Sequence, residues 1–249
     1  VVPPHPHTGL QTASWLFSGE VEHRDSAGHH AFVRPGELNL MTAGRGISHS
    51  EYSTPGTTVL HGAQLWLALP DGDRHTTPAF EHYVPTAIGG DGWEARVFLG
   101  SLLGSTSPVR TYSPLLGAEL RLRAGTTLEV PVDPAHEHGL LLDSGSLTVG
   151  EEALKADELG YLEPGRELIT LTAAEDALVL VLGGPPFGEQ IVMWWNFIGR
   201  DHDEVAAYRA EWQRLVESGA AEQFSLPLDD PLPPLPAPAL PTVRMVKRG

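Results

Sequence analysis

Cysteine is absent from all 249 residues. That rules out a disulfide framework and any thiolate-bound metal, so a redox response would have to come from a metal held by other donors. Basic residues are scarce: 16 Lys and Arg stand against 32 Asp and Glu, for a formal net charge of −16. The nearest thing to a basic cluster is Arg244, Lys247 and Arg248 at the very end. This argues against direct binding to a nucleic-acid backbone, which needs grouped cations. No stretch approaches the roughly 20 apolar residues of a membrane span. The opening Val1-Val2-Pro3-Pro4 has neither the basic segment nor the apolar core of a secretory leader. A cytoplasmic setting is the expectation.

The plentiful residues point to strands and turns. The 27 glycines and 22 prolines favour short strands over a helical bundle. A chain of this length can bury one large core or two small ones. Histidine is also common, with 12 copies, and two pairs stand out: His5-Pro6-His7 and His49-Ser50-Glu51. Side chains two apart on a strand share a face, so each pair can aim two donors into one space. Three imidazoles and a carboxylate suit a borderline divalent metal such as Fe(II), Mn(II), Ni(II), Cu(II) or Zn(II).

The company these pairs keep strengthens the reading. An apolar run Ala13–Phe17, a turn at Ser18-Gly19 and Arg34-Pro35-Gly36-Glu37 lie between them. His-x-His, a glycine turn, Pro-Gly-Glu and then a further His is the cupin pattern. Read whole, HPHTG (5–9), SGEVEHRDS (18–26), RPGEL (34–38), MTAGRGISHSE (41–51) and LHGAQLWLALP (60–70) resemble the pirin family. Pro185-Pro186-Phe187-Gly188-Glu189 and a final helix continue the resemblance more loosely.

The resemblance implies an all-β fold of two consecutive cupin (jelly-roll type) barrels with a short C-terminal helix and a Pro-rich tail. The expected divisions are 1–105 for the metal-bearing barrel, 106–198 for a degenerate second barrel and 199–249 for helix and tail. Because the metal motif arrives at residue 5, the first barrel is expected to lack its initial strands. The resemblance places one metal, usually iron as Fe(2+), on His5, His7, His49 and Glu51. It implies a quercetin 2,3-dioxygenase activity, with a flavonol and O2 as substrates and Glu51 taking the 3-hydroxyl proton. It also implies an alternative: a metal-dependent, redox-sensing regulator that acts through contacts with a protein partner, a transcription factor or a metabolic enzyme.

Other residues receive humbler expectations. Gln11 stands where such sequences usually carry glutamate and suits a hydrogen bond to a ligand better than ligation. His29 and His30, after the turn 24–28, are expected to be exposed. The loop 41–46 carries Gly44 and Gly46 and matches no phosphate-binding fingerprint. In the strand expected over 60–69, Leu65, Leu67 and Leu69 share one face, and Gln64 and Trp66 the other; His61 and Gln64 are candidates to line the cavity. Short strands are expected at 94–99 and 108–112, bridging the halves. A faint repeat, HEHG at 136–139 and EPGREL at 163–168, echoes HPHTG and RPGEL but lacks a second His-x-Glu. Asp201 with Glu204 forms a capping box. Val205, Tyr208, Trp212 and Leu215 then make a helical stripe that Gly219 ends. Seven prolines between Leu226 and Pro241 keep the tail extended.

Overall fold

The computed structural model describes residues 1–249 and contains 22 strands and one α-helix. The chain divides into two compact units, residues 1–82 with 188–249, and residues 83–187.

The first unit opens with β1 (Val2–His7), β2 (Leu10–Ser18), β3 (Val21–Asp25), β4 (His30–Val33), β5 (Leu38–Thr42), β6 (Ile47–Ser53), β7 (His61–Ala68) and β8 (Ala79–Tyr83). They form two four-stranded antiparallel sheets, in the orders β1-β6-β3-β4 and β7-β2-β5-β8. Gly9 turns the chain from the first sheet into the second at a φ of +67°; a Cβ there would meet the Ile198 carbonyl oxygen at 2.5 Å. Glycine alone fits that corner.

The second unit holds β9 (Ile88–Gly90), β10 (Trp93–Leu99), β11 (Ser101–Leu102), β12 (Ser105–Thr106), β13 (Leu116–Leu122), β14 (Thr127–Pro131), β15 (Glu137–Ser144), β16 (Ser146–Val149), β17 (Glu152–Lys155), β18 (Leu159–Leu162), β19 (Leu168–Ala173) and β20 (Ala177–Gly184). A six-stranded sheet, β18-β15-β20-β13-β10-β9, and a four-stranded one, β14-β19-β16-β17, close over one core. Leu120, Leu140 and Val179 of the first sheet pack with Leu128, Leu147 and Leu171 of the second. The alternation of apolar and polar residues along β14 and β19 makes this possible, because every second side chain turns inward.

Two details differ from the sequence reading. The strand at 94–99 does not bridge halves: as β10 it pairs with β13 inside the second unit, so that unit begins near residue 83 and not at 106. Residues 108–112 form no strand. Pro108 has no N–H to give a ladder, and the Arg110 guanidinium lies 5.0 Å over the Tyr112 ring instead.

The chain then returns to the first unit with β21 (Val192–Trp194), β22 (Phe197–Gly199) and α1 (His202–Ser218). Asp201 caps the helix through the Glu204 N–H, and Gly219 ends it in a left-handed conformation. Glu204 accepts from the Arg200 N–H at 2.6 Å, one residue earlier than a capping box requires. Val205, Tyr208, Trp212 and Leu215 are buried, packed with Phe197, Phe224 and Ala237. The tail is therefore part of the first unit, held by Trp212 Nε1 donating to the Leu235 carbonyl at 2.8 Å and by the Leu235 N–H donating to the Pro4 carbonyl at 2.8 Å. Replacing Trp212 with Ala should cost about 3–5 kcal/mol in urea unfolding, from the cavity it leaves. Trp212→Phe should cost less, and the loss should include about 1 kcal/mol for the missing hydrogen bond.

Candidate metal centre

The register of the first sheet builds the site. His5 lies opposite His49 across β1 and β6, His49 lies opposite Asp25 of β3, and Glu51 lies opposite His23. Directly opposed residues share a face, as do residues two apart. His5, His7, His23, Asp25, His49 and Glu51 therefore all stand on one face of one sheet. The odd–even alternation of β6 puts Ser48, Ser50 and Tyr52 on the other face.

That outer face is gripped by the tail. Ser48 Oγ donates to the Ser225 carbonyl, and Ser50 Oγ and Tyr52 Oη both donate to the Asp230 carboxylate, each at 2.5 Å. Burial and the Asp230 carboxylate together push the Tyr52 hydroxyl up to about 12. The start of β6 is fixed by the 43–46 loop. Gly44, at φ +52°, accepts from the Gly9 N–H and approaches Thr76 so closely that a Cβ would meet its carbonyl oxygen at 2.0 Å.

On the inner face three imidazoles converge. A nitrogen from each of His5, His7 and His49 lies within 4.8 Å of the other two, and all three residues are buried. His7 Nε2 and His49 Nε2 face each other at 3.0 Å. His5 Nδ1 donates to the Pro3 carbonyl at 2.9 Å, which leaves Nε2 as its free donor atom. The backbone of Asn196 polarises the His7 ring, but no well-formed hydrogen bond reaches its Nδ1. Burial, reinforced by the neighbouring imidazoles, holds His7 and His49 well below the ordinary histidine range. Burial lowers His5 as well, against the opposing pull of the Pro3 carbonyl and Glu51. Neutral imidazole is the form that binds a metal. Facing nitrogens, neutral rings and a borderline donor set fit a single metal ion.

Glu51 belongs to an overlapping group. Its carboxylate lies within 4.8 Å of nitrogens on His49 and His23, and its Oε1 accepts from Gln64 Nε2 at 2.8 Å. Gln64 is braced in turn by Ser14 Oγ at 3.1 Å. Gln64 and Trp66 share a face of β7, and Trp66 meets His7 edge to face with ring centroids 5.2 Å apart. Gln11 and His61 take other places. Gln11 lies opposite Thr42 and Leu67, on the face of β2 turned away from Gln64, and gives its amide to Thr42 Oγ1 at 2.9 Å. Its parity is wrong for a hydrogen bond to a ligand histidine. His61 is exposed at the start of β7 and packs against Phe17.

A third pair two apart, His23-Arg24-Asp25, completes the arrangement. His49 Nδ1 and His23 Nδ1 are 3.3 Å apart, and His23 Nε2 lies 3.4 Å from Asp25 Oδ2. Asp25 is buried and accepts from the N–H groups of Ala27 and His29 at 2.9 and 3.0 Å. The half-exposed His29 ring also reaches this carboxylate, and His30 pairs with Glu22. A carboxylate behind a ligand histidine fixes its ring orientation and tautomer, and here a second imidazole carries that effect to His49. His23, Asp25 and Trp66 were not among the candidates from sequence. The same-face spacing that singled out His5 and His7 applies equally to His23 and Asp25.

Three outcomes follow from this geometry. His7→Ala should abolish nearly all metal content by elemental analysis; a folded variant with a full equivalent would refute the site. Asp25→Asn should keep the donors yet weaken metal binding by about 10–100-fold in chelator competition. In the metal-free protein, the three imidazoles resist protonation that the unfolded chain accepts below about 6.5. The unfolded state then binds more protons, so stability should fall as pH drops through that value. An apo protein equally stable at pH 7 and pH 5 would contradict this.

The comparisons with known proteins agree with the fold. The pirin family profile matches residues 1–67, and that of the pirin C-terminal cupin domain matches residues 117–216. A Pseudomonas aeruginosa protein provisionally named a quercetin 2,3-dioxygenase is 45% identical over 217 residues, 85% of this chain and 68% of its own length. A pirin-like protein of Caulobacter vibrioides is 35% identical over 220 residues, 85% of this chain and 75% of its own. The crystal structure of a quercetin 2,3-dioxygenase from Acinetobacter baumannii superposes with a TM-score of 0.90 at 38% identity, covering 98% of this chain and 80% of that one. With both family profiles in place and the imidazole cluster on the strands that carry HPHTG and MTAGRGISHSE, this chain belongs to the pirin family.

Proposed function

We propose that the chain is a mononuclear metal dioxygenase that opens the central ring of a flavonol such as quercetin with O2, releasing carbon monoxide, and that the metal is Fe(II). The observation that carries this reading is the convergence of His5, His7 and His49 with Glu51 beside them on the same sheet face. Four protein donors leave about two positions on a six-coordinate ion, the openness a catalyst requires. A metal held by these residues would supply Lewis acidity toward the substrate's oxygens and redox chemistry toward O2.

The chain's own residues do the rest. Glu51 is the base that accepts the 3-hydroxyl proton of the substrate. Gln64, braced by Ser14, holds Oε1 of that carboxylate and so sets its direction. Trp66 offers an aromatic wall beside His7, and at 37% exposure its ring can still be reached by a flat substrate. The Pro3 carbonyl keeps the proton of neutral His5 on Nδ1, so that Nε2 stays available to the metal.

The test uses one purified sample loaded in turn with iron, manganese, nickel or copper and assayed for quercetin consumption and carbon monoxide. Glu51→Gln keeps the shape and an oxygen donor but loses the charge and the base. It should bind metal more weakly and, once reloaded, turn over quercetin at least about 10²-fold more slowly. A reloaded variant as fast as the parent would remove Glu51 from the role of base. A parent inactive with all four metals would overturn the dioxygenase reading and favour a regulator that acts through a protein partner.

A further inference from the structure

The HEHG repeat at 136–139 has no part in the metal centre, and its surroundings differ in kind. His138 lies on β15 and is buried, with 1% of its surface exposed, yet neither ring nitrogen has a hydrogen-bond partner. It lines a cavity of about 510 Å³ within the second unit. His136 lines the same cavity, its ring centroid 6.1 Å from that of His138, and Asp133 Oδ2 stands 3.9 Å from His136 Nε2. Leu102, Leu116 and Val132 supply apolar wall. Ser101 and Pro131, which also line it, are exposed, so the cavity reaches solvent.

We propose that this cavity is a binding site for a small uncharged phenolic molecule, with His138 as its polar anchor. Burying a polar group without a partner costs about 1–3 kcal/mol, and His138 carries two such atoms. Burial, reinforced by His136 and opposed by Asp133, lowers its affinity for a proton. The ring is therefore neutral, with one N–H donor and one bare nitrogen acceptor. A hydroxyl complements either, because it both donates and accepts. Anions are disfavoured by the neutral ring, by Asp133 and by the net charge of −16. Sugars would leave the leucine and valine wall unmatched, whereas one aromatic ring covers it. The volume suits such a ligand, since small-molecule sites run from about 300 to 1,000 Å³. A metal is a poor fit: β18 and β20, the strands paired with β15, carry no histidine or carboxylate to complete a donor set. The site is independent of the metal-centre chemistry.

The experiment is isothermal titration of the metal-loaded full-length chain with phenol and with resorcinol, whose hydroxyls are not vicinal and so do not chelate. The parent should bind about one equivalent with a millimolar dissociation constant. His7→Ala should bind equally well, and His138→Leu should bind at least about tenfold more weakly, with its metal content intact. His138→Leu removes an unpartnered polar group and should unfold at the same or a higher urea concentration. Should it fail to fold, His138→Gln, which keeps a donor and an acceptor, takes its place and should retain part of the affinity. No saturable binding by the parent up to about 100 mM would overturn the proposal. So would unchanged affinity in His138→Leu, or binding lost in His7→Ala.

Discussion

Placing His5, His7, His23, Asp25 and His49 together on the inner face of one sheet takes five polar side chains out of water. Each must find a partner or cost the fold about 1–3 kcal/mol, and the local structure follows from how these needs are met. His5 turns one nitrogen to the Pro3 carbonyl, and His23 links His49 to Asp25. Asp25 draws on the backbone of the 25–29 turn, so that the turn is organised by a carboxylate buried behind the site. The Nε2 atoms of His7 and His49 are left facing one another. A ligand that binds only the folded state stabilises it by mass action. A metal held here would therefore contribute to the stability of the fold as well as to chemistry.

Strand β6 is one of the places where the two halves of the first unit's sequence meet. Its inner residues, His49 and Glu51, face the site. Its outer residues, Ser48, Ser50 and Tyr52, are tied to Ser225 and Asp230, residues some 180 positions later. A strand pinned on its outer face has little freedom to tilt, and metal geometry tolerates little tilt. The prolines assist, because an extended chain with few conformations loses less entropy on docking than a flexible one. Helix α1 anchors the tail's far portion through Trp212 and the Leu235 carbonyl. A change in the tail can in this way reach the metal centre without touching it.

The two units show what one architectural pattern does with different inner faces. In the second, strands of Leu and Val turn inward to make a continuous apolar core. In the first, the corresponding alternation turns histidines inward. The pleat is the same in both; the chemistry depends on which residue occupies the inward parity. His136 and His138 retain the His-x-His spacing, but only His138 lies on β15, whose paired strands β18 and β20 carry no histidine or carboxylate, and it lines a cavity.

Much of this was legible from the residues alone. Same-face spacing brought His5, His7, His49 and Glu51 to attention, because alternation along a strand is a local property of the backbone. The capped helix with its stripe at Val205, Tyr208, Trp212 and Leu215 was legible for the same reason, as periodicity and cap residues act over a few positions. Register between strands was not, because it is settled by pairing between distant segments. Only the pairing of β3 with β6 sets His23 opposite Glu51 and Asp25 opposite His49, and only the parity of β2 turns Gln11 away from the site. The assignment of 94–99 to the second unit, the tail's hold on β6 and the cavity beside His138 likewise come from contacts between residues far apart in the chain. Local sequence determined which side chains could act together; long-range packing decided which of them do.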